Sequence, residues 1–153
     1  MSAGALWLLV VIANAAPLLA GRGPGPATPL DFGLHLPDGR RMFGAHKSWR
    51  GLALSVACTA LIAVLLGMPV SAGIAVAAWA MGGDMLASLA KRRIGIAPGG
   101  KAPGLDQLPE SLLPLIVVGR PHLAWATIAL LALAFMALDT ILRLIYDRLR
   151  RQS

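Results

Sequence analysis

Five apolar segments, separated by polar and glycine-rich stretches, set the pattern of the chain. Their approximate bounds are Ala3–Ala20, Leu52–Met68, Pro69–Ala90, Leu108–Val118 and His122–Leu144. Four are close to the roughly 20 residues that an α-helix needs to cross a bilayer. The fourth has about 11 residues, or roughly 17 Å of helix against a hydrocarbon core of about 30 Å, so it is a short tilted crossing or a re-entrant segment. The pattern predicts an all-α, polytopic membrane protein.

Two details of the pattern refine this prediction. The tight Gly67-Met68-Pro69 connection joins the second and third segments, so we expect them to form a transmembrane helical hairpin. The first segment resembles a signal peptide, with Ala13-Asn14-Ala15 as a small-residue cleavage site, but it lacks the basic start that signal peptides have. We therefore expect it to be retained as a helix.

Composition supports the membrane class and excludes others. Hydrophobic residues make up 57% of the 153 positions and charged residues only 14%, against about 25% charged in ordinary soluble domains. The single cysteine, Cys58, excludes a disulfide within the chain. His35, His46 and His122 show no metal-ligand spacing, which argues against a zinc site.

The distribution of positive charge predicts the orientation. A net charge of +7 is compatible with nucleic-acid binding, but the basic residues cluster between the apolar segments instead of along one soluble face. Of the 14 Lys and Arg residues, only Arg120 falls outside three groups. Those groups are Arg22, Arg40, Arg41, Lys47 and Arg50; Lys91, Arg92, Arg93 and Lys101; and Arg143, Arg148, Arg150 and Arg151.

Five crossings place all three basic groups on one side, which the positive-inside rule makes cytoplasmic. A re-entrant fourth segment would put the basic tail outside, against that rule. We therefore predict a single transmembrane domain over residues 1–153 in the cell membrane, with five transmembrane helices, the N-terminus outside and the C-terminus cytoplasmic. Loops 21–51 and 91–107 would form a site that faces the cytoplasm.

The first of these loops combines glycines with cations. Glycines spaced among Arg and Lys let backbone N–H groups and positive charges approach a phosphate together. Gly39 and Gly44 followed by Lys47-Ser48 imitate a phosphate-binding P-loop, but the lysine comes two residues late and no strand precedes it. A solvated basic loop that fixes topology and contacts anionic lipid is the alternative interpretation.

The third segment ends in a second polar cluster. Asp84, Ser88, Lys91 and Arg92 are spaced i, i+4, i+7 and i+8, which places them on one helix face. Asp84 lies roughly 10 Å inside the predicted cytoplasmic boundary, where a carboxylate needs a cation, a metal or a water-filled cavity. The structural alternative is a charge pair with Lys91 or Arg143 that locks helices together.

Other acidic residues extend this cluster. Asp106 adds a second carboxylate on the same side, and two carboxylates among cations and glycines suit a Mg²⁺-bound, triphosphate-type substrate. Asp31 and Asp38 are further candidates, although either can simply cap a turn. Asp139 and Asp147 lie at i+4 spacing from Arg143 and Arg151, which indicates salt bridges along a helix.

Taken in order, these motifs resemble those of the CDP-archaeol synthase family, which is related to the phosphatidate cytidylyltransferases. The resemblance covers about residues 10–120. It rests on Asn14, on Pro29-x-Asp31-Phe32-Gly33, on Asp38-Gly39-Arg40-Arg41, on Gly44-x-x-Lys47-Ser48-Trp49-Arg50-Gly51, on Gly83-Asp84-x-x-x-Ser88-x-x-Lys91-Arg92-Arg93 and on Asp106-Gln107. It implies a five-helix enzyme that transfers CMP from CTP to a lipid phosphate and releases pyrophosphate, with Mg²⁺ as cofactor.

The resemblance also implies roles for individual residues. Asp84, Asp106 and Lys91 would be catalytic, and the two aspartates would hold Mg²⁺. Substrate would be bound by Asn14, Asp31, Arg40, Lys47, Ser48, Arg50, Ser88, Arg92 and Gln107. The partners would be CTP and a lipid phosphate in the membrane, such as a prenyl-ether glycerol phosphate, and not nucleic acid.

Two departures from the family pattern bear on this prediction. The family commonly has an aspartate after the glycine where this chain has Ala45-His46, and another near Pro109, where this chain has Glu110. Whether Glu110 supplies the missing oxygen is left open.

The rival interpretation is a non-catalytic membrane protein, a transporter subunit or assembly factor, with Asp84 in an ion pair or ion path. The crowding of polar residues on one side of the membrane favours the enzyme.

Overall fold

The structure is a computed structural model. It describes residues 1–20, 25–100 and 102–151, with the backbone alone at positions 146, 147 and 149–151. Arg22 and Lys101, counted above among the cytoplasmic cations, lie outside the described residues, as do the side chains of the predicted Asp147–Arg151 pair.

Helices make up the regular structure of the described chain. They are α1 (Ala3–Ala15), α2 (Pro17–Ala20), α3 (Trp49–Leu65), α4 (Val70–Arg93), α5 (Gln107–Pro114), a π-helix (Leu115–Gly119) and α6 (Trp125–Arg151). In the described ranges the only β-pairing is two isolated bridges in the first loop, Pro29 with Ser48 and His35 with Arg41. The all-α prediction is confirmed, and each predicted apolar segment corresponds to helix.

Local chemistry explains where the helices begin and end. The Ser2 and Ser48 hydroxyls each accept a hydrogen bond, at 3.2 Å, from a backbone N–H in the first turn of α1 and α3, which stabilises a helix start. Pro17 lacks the N–H that would continue α1, so the first segment divides into α1 and α2. Gly67, at a φ of +72°, turns the chain between α3 and α4 and closes the predicted hairpin.

Three helical stretches, Ala3–Ala20, Val70–Arg93 and Trp125–Ile145, are long and apolar enough to cross a membrane. Two apolar helical stretches are shorter, Trp49–Leu65 and Gln107–Gly119. The chain is thus a multi-pass membrane protein, while five crossings and a cytoplasmic C-terminus stay predictions. The sixth helix starts at Trp125 instead of His122, because the Arg120–His122 stretch forms a turn.

The centre of the bundle is α1, whose Leu6, Leu9 and Val10 are fully buried. It contacts α3, α4, α5 and α6. Without a hydrophobic driving force between helices in lipid, close backbone approach becomes important. A Cβ on Gly73 of α4 would lie 2.7 Å from the Ala60 Cα of α3, so α3 and α4 pack with their backbones in near contact.

The position of α5 and α6 shapes the site. Gly83 of α4 allows the backbone of α5 at Pro109 and Glu110 to come so close that a Cβ would overlap it. Helix α6 packs on α1, α5 and the π-helix, and within the described residues its backbone does not come close to that of α3 or α4. One end of the bundle is therefore walled by α4 and α5, with α6 standing apart from α4.

Candidate active site

A polar cavity of about 170 Å³ lies at this end of the bundle. The two loops close it on one side, and three helices form the rest of the wall. Its lining residues are Phe43, His46, Lys47, Asp84, Ser88, Lys91, Arg92, Pro98, Gly99, Gly100, Asp106, Glu110 and Arg143. Carboxylates and cations from distant parts of the sequence therefore face one space.

Helix α4 supplies one polar face of the cavity. Asp84, Ser88, Lys91 and Arg92 all line it, as their helical spacing predicts. Ser88 and Arg92 are buried, and Asp84 and Lys91 keep part of their surface open to the cavity. The same helix is apolar further toward its N-terminus, so it carries the site at its polar end.

Two ion pairs tie the loops to this wall. Lys47 of the first loop pairs with Asp84 of α4. Lys91 of α4 pairs with Asp106 of the second loop and donates to the Gly100 carbonyl at 3.3 Å. The structural alternative in which Asp84 pairs with Lys91 or Arg143 is wrong, because the first loop folds back over α4 and brings Lys47 to Asp84.

Arg92 stands out among the cations. It is only 5% exposed, and its Nε and Nη1 atoms have no hydrogen-bond acceptor among the described residues. Buried donors in proteins are nearly always satisfied, by protein, water or a ligand. Because Arg92 lines the cavity, an anion bound there would be a suitable partner for its guanidinium.

Asp31 organises the first loop. Its buried carboxylate accepts from Arg41 at 2.9 Å and from the backbone N–H groups of Gly33, Phe43 and Gly44 at 3.0 to 3.2 Å. Burial alone would raise the pKa of Asp31, but these hydrogen bonds outweigh it and lower the pKa well below its ordinary range. Asp31 does not line the cavity, so its contacts hold the loop that carries Phe43, His46 and Lys47.

The same loop also clamps the end of α4. Arg40 donates from Nη1 to the carbonyls of Arg92 and Arg93, each at 2.8 Å, and a cation at a helix C-terminus is stabilising. Asp38 accepts from the Arg40 N–H at 3.1 Å, as expected for a turn cap, and pairs with Arg93. The Arg40 N–H, and then Arg93, lower the pKa of Asp38.

Four further residues from the predicted binding set also lie away from the cavity. Asn14 donates to the Val10 carbonyl within α1 at 2.9 Å, and Ser48 caps α3. Arg50 lies 3.5 Å from the Ala20 carbonyl. Gln107 accepts from the Gly104 N–H at 2.6 Å and donates to Asp139 at 2.8 Å. The structure thus brings together only Lys47, Asp84, Ser88, Lys91, Arg92 and Asp106 from the predicted set.

The cavity also contains residues that the sequence did not assign to it. Glu110 lies one helical turn after Asp106, and that spacing could have indicated a shared face. Arg143 forms the predicted pair with Asp139 at 2.7 Å, and its Nη1 also lies 3.8 Å from Asp106. His46 was noted in the sequence as part of a departure from the family pattern, and nothing there distinguishes Phe43; the fold of the loop brings both to the cavity.

The acidic residues of the cavity are candidate ligands for a divalent cation. Within the described ranges no group of three or more His, Cys, Asp or Glu residues is close enough to hold a metal ion. However, Asp84, Asp106 and Glu110 all line the cavity, and Mg²⁺ commonly uses one or two carboxylates together with substrate phosphates and water. The residues therefore suit a metal ion that is bound jointly by the protein and a polyphosphate substrate. They do not form a metal site made of protein ligands alone.

Fold and site together define an intramembrane enzyme for a phosphate-bearing substrate. The family model for CarS-like CDP-archaeol synthase matches residues 3–149. The CDP-archaeol synthase of Pyrococcus furiosus is 31% identical over 80% of this chain and 88% of its own length. That of Saccharolobus solfataricus is 34% identical, over 77% and 78%. The chain belongs to the CarS-like CDP-archaeol synthase family.

A solved structure agrees with this assignment. An intramembrane enzyme for archaeal membrane lipid biosynthesis superposes with a TM-score of 0.76 and 34% identity, covering 92% of this chain and 91% of its own. The resemblance seen in the sequence motifs is confirmed. Family membership also decides between the two interpretations of the sequence, in favour of the enzyme and against the non-catalytic membrane protein.

Proposed function

We propose that the chain is a CTP-dependent cytidylyltransferase that converts a membrane lipid phosphate into a CDP-lipid and pyrophosphate. The observation that carries the proposal is the buried Arg92 guanidinium, which lines the cavity and whose Nε and Nη1 donors have no acceptor among the described residues. Lys47 and Lys91 line the same space with two carboxylates. Family membership supplies the identity of the nucleotide, which the charges alone leave open.

Three cations would bind the triphosphate. Arg92 offers a planar fork that suits phosphate oxygens, and Lys47 and Lys91 act as mobile point charges. Both lysines are paired with aspartates in the structure, so nucleotide binding would exchange those partners for phosphate. Arg50, which the sequence analysis placed among the substrate-binding residues, lies outside the cavity lining. The proposal therefore assigns it no role in binding the triphosphate.

The reaction is a displacement at the α-phosphorus of CTP. An oxygen of the lipid phosphate forms the new P–O bond, the bond from the α-phosphorus to the bridging oxygen breaks, and its electron pair leaves with pyrophosphate. Lys47, Lys91 and Arg92 would stabilise the charge that develops on the phosphate oxygens. No general base is needed, because a phosphate monoester, with a second pKa of about 6, is already dianionic near neutral pH.

The acidic residues of the cavity would hold the metal ion. Asp84 and Asp106 would hold Mg²⁺ together with phosphate oxygens of the substrate and water. When bound, the metal would neutralise charge on the attacking and leaving oxygens. The lysines that pair with these aspartates would then be free to contact phosphate.

The orientation and the acceptor complete the proposal. Because nearly all cations cluster at the loops and the tail, the site would face the cytoplasm, where soluble CTP meets a membrane-resident acceptor. The relatives are named for CDP-archaeol, so a prenyl-ether glycerol phosphate ranks above diacyl phosphatidate as the acceptor.

The test is to give the purified protein each nucleoside triphosphate in turn, with Mg²⁺ and a panel of lipid phosphates, and to measure pyrophosphate and cytidylated lipid. We expect product from CTP alone among the nucleotides. Lys47→Ala and Arg92→Ala should each weaken CTP binding by about 1.5–3 kcal/mol, the value of a charged hydrogen bond.

Arg120→Ala is the matched control, since Arg120 stacks on Trp125 outside the cavity lining. It should leave CTP binding unchanged. Protein that binds CTP no better than ATP and forms no cytidylated lipid from any acceptor would refute the proposal.

A further inference from the structure

The wall of the cavity contributed by α6 differs from the others. Arg143 is the α6 residue that lines the cavity in the described chain. Its neighbours Leu142, Leu144 and Ile145 are all at least half exposed, and α6 as a whole buries few of its apolar side chains within the protein. In a multi-pass membrane protein such exposed apolar positions face lipid. At Arg143 the polar cavity therefore meets the lipid-facing surface.

The arrangement of helices leaves this edge open. Helices α4 and α6 both contribute to the cavity, yet in the described residues their backbones do not approach each other closely. Helix α5 packs against both and forms the wall behind them. A lipid whose chains stay in the bilayer has to bring its phosphate in from the side. The gap between α4 and α6 would let the lipid phosphate enter the cavity from that side.

The Arg143 guanidinium is anchored at close range through only one of its three nitrogens. Its Nε forms an ion pair with Asp139 at 2.7 Å, and Asp139 also accepts a hydrogen bond from Gln107 at 2.8 Å. Neither Nη atom makes a hydrogen bond within the part of the chain that the structure describes, and the Asp106 carboxylate at 3.8 Å is beyond hydrogen-bonding distance. Two parallel N–H donors fixed in this way match two oxygens of a phosphate group.

Arg143 and Arg92 occupy different environments. Arg92 is 5% exposed, whereas the Arg143 side chain is 37% exposed, at the edge of the cavity. A buried arginine suits the triphosphate of a nucleotide that is enclosed by the loops. A half-exposed arginine on a lipid-facing helix suits a head group whose chains remain outside.

We infer that Arg143 binds the phosphate of the lipid acceptor at a lateral opening between α4 and α6. This inference rests on the proposed function and divides the cations of the cavity between the two substrates. Lys47, Lys91 and Arg92 serve the nucleotide, and Arg143 serves the lipid. Asp139 is a positioning residue that fixes the Arg143 fork through Nε.

Steady-state kinetics in mixed detergent micelles separate the two substrates. The full-length protein and its Arg143→Gln, Arg143→Lys and Arg148→Gln variants are supplied with CTP, Mg²⁺ and a prenyl-ether glycerol phosphate at varied mole fraction. Arg148 is exposed on the same helix outside the cavity lining, which makes it the matched control. CTP affinity is measured separately by equilibrium binding without lipid.

Arg143→Gln should raise the KM for the lipid about tenfold to 100-fold, as expected for a lost charged hydrogen bond. Its CTP affinity should stay within about twofold of that of the parent protein. A twofold change in affinity corresponds to a difference of less than ~0.5 kcal/mol in binding free energy. Arg143→Lys keeps the charge without the fork, so its lipid KM should rise less. Arg148→Gln should change neither parameter.

An unchanged lipid KM in Arg143→Gln, or a loss of CTP affinity without a change in lipid KM, would overturn the inference. If Arg143→Gln does not fold in detergent, the test uses Arg143→Lys. A raised lipid KM in that variant supports the inference, and an unchanged lipid KM overturns it. A parent protein that makes no CDP-lipid at all refutes the proposed function instead, so the two failures are distinguishable.

Discussion

Gly83 lies where α4 passes closest to α5, and its replacement by alanine tests whether the site depends on that contact. A Cβ at this position would overlap the Pro109 carbonyl group and lie 2.7 Å from the Glu110 nitrogen. Non-bonded atoms settle at about 3.5–4.0 Å, so α5 has to move away by roughly 1 Å. Because the obstacle is backbone, no change of side-chain rotamer can relieve the overlap.

The structure gives the size of two effects. Overpacking of a helix interface costs about 1–3 kcal/mol in stability. The displaced α5 carries Glu110 and the adjoining Asp106 with it, and a misplacement of about 1 Å in a catalytic arrangement can cost on the order of 100-fold in rate. Gly83→Ala should therefore lower both the unfolding temperature and the cytidylyltransferase activity.

Gly82→Ala is the matched control, because a Cβ on the adjacent residue meets no atom within 4 Å. That change only removes the helix penalty of glycine, about 0.5–1 kcal/mol. Thermal unfolding in detergent and the rate of CDP-lipid formation are measured for both variants. If Gly83→Ala unfolds at the same temperature as Gly82→Ala and retains its activity, the close packing of α4 on α5 is not what positions the site.

Three further predictions concern the metal, the first loop and the orientation. Asp84→Asn and Asp106→Asn should each abolish Mg²⁺-dependent turnover in folded protein, because amides are poor ligands for a hard cation. If the variants fail to fold instead, the aspartates have a structural role. Asp31→Asn should lower the free energy of unfolding by about 2 kcal/mol at pH 7. Since folding lowers the pKa of Asp31, this difference should shrink as the pH falls below the ordinary value of 3.8; a constant difference in melts across that range would contradict it. In intact cells, a cysteine at Gly67 should react with an impermeant thiol reagent and one at Gly99 should not; labelling at Gly99 would reverse the orientation.

The helices and the polar face of α4 follow from local pattern. Apolar segments of membrane-spanning length determine helices almost independently of their surroundings, since lipid offers the backbone no other hydrogen-bond partners. The helical repeat then places Asp84, Ser88 and Arg92 on one side whatever α4 packs against. These features were accordingly predictable from spacing alone.

The partners of these residues depend on long-range packing and were not predictable in the same way. Lys47 reaches Asp84 only because Asp31 folds the first loop back across the end of α4. The spacing of Arg143 from Asp139, four residues away, predicted a salt bridge along the helix. It gave no indication that Arg143 also lines the cavity. Spacing within a helix is fixed by geometry, whereas contacts between a loop and a helix arise only when the whole chain has folded.

The first loop shows why residues remote from the cavity belong to the site. Asp31 holds the turn that presents Lys47, and Arg40 fixes the same loop to the carbonyls at the end of α4, next to Lys91 and Arg92. Each of these contacts joins residues at least ten positions apart, so loop folding and assembly of the cation cluster are one event. The sequence motifs include both kinds of residue: the cations that are proposed to bind phosphate, and Asp31 and Arg40, which hold the first loop in place. Asp31 and Arg40 thus belong among the motif residues as supports for the charges that are proposed to contact substrate, and the proposed function needs both groups intact.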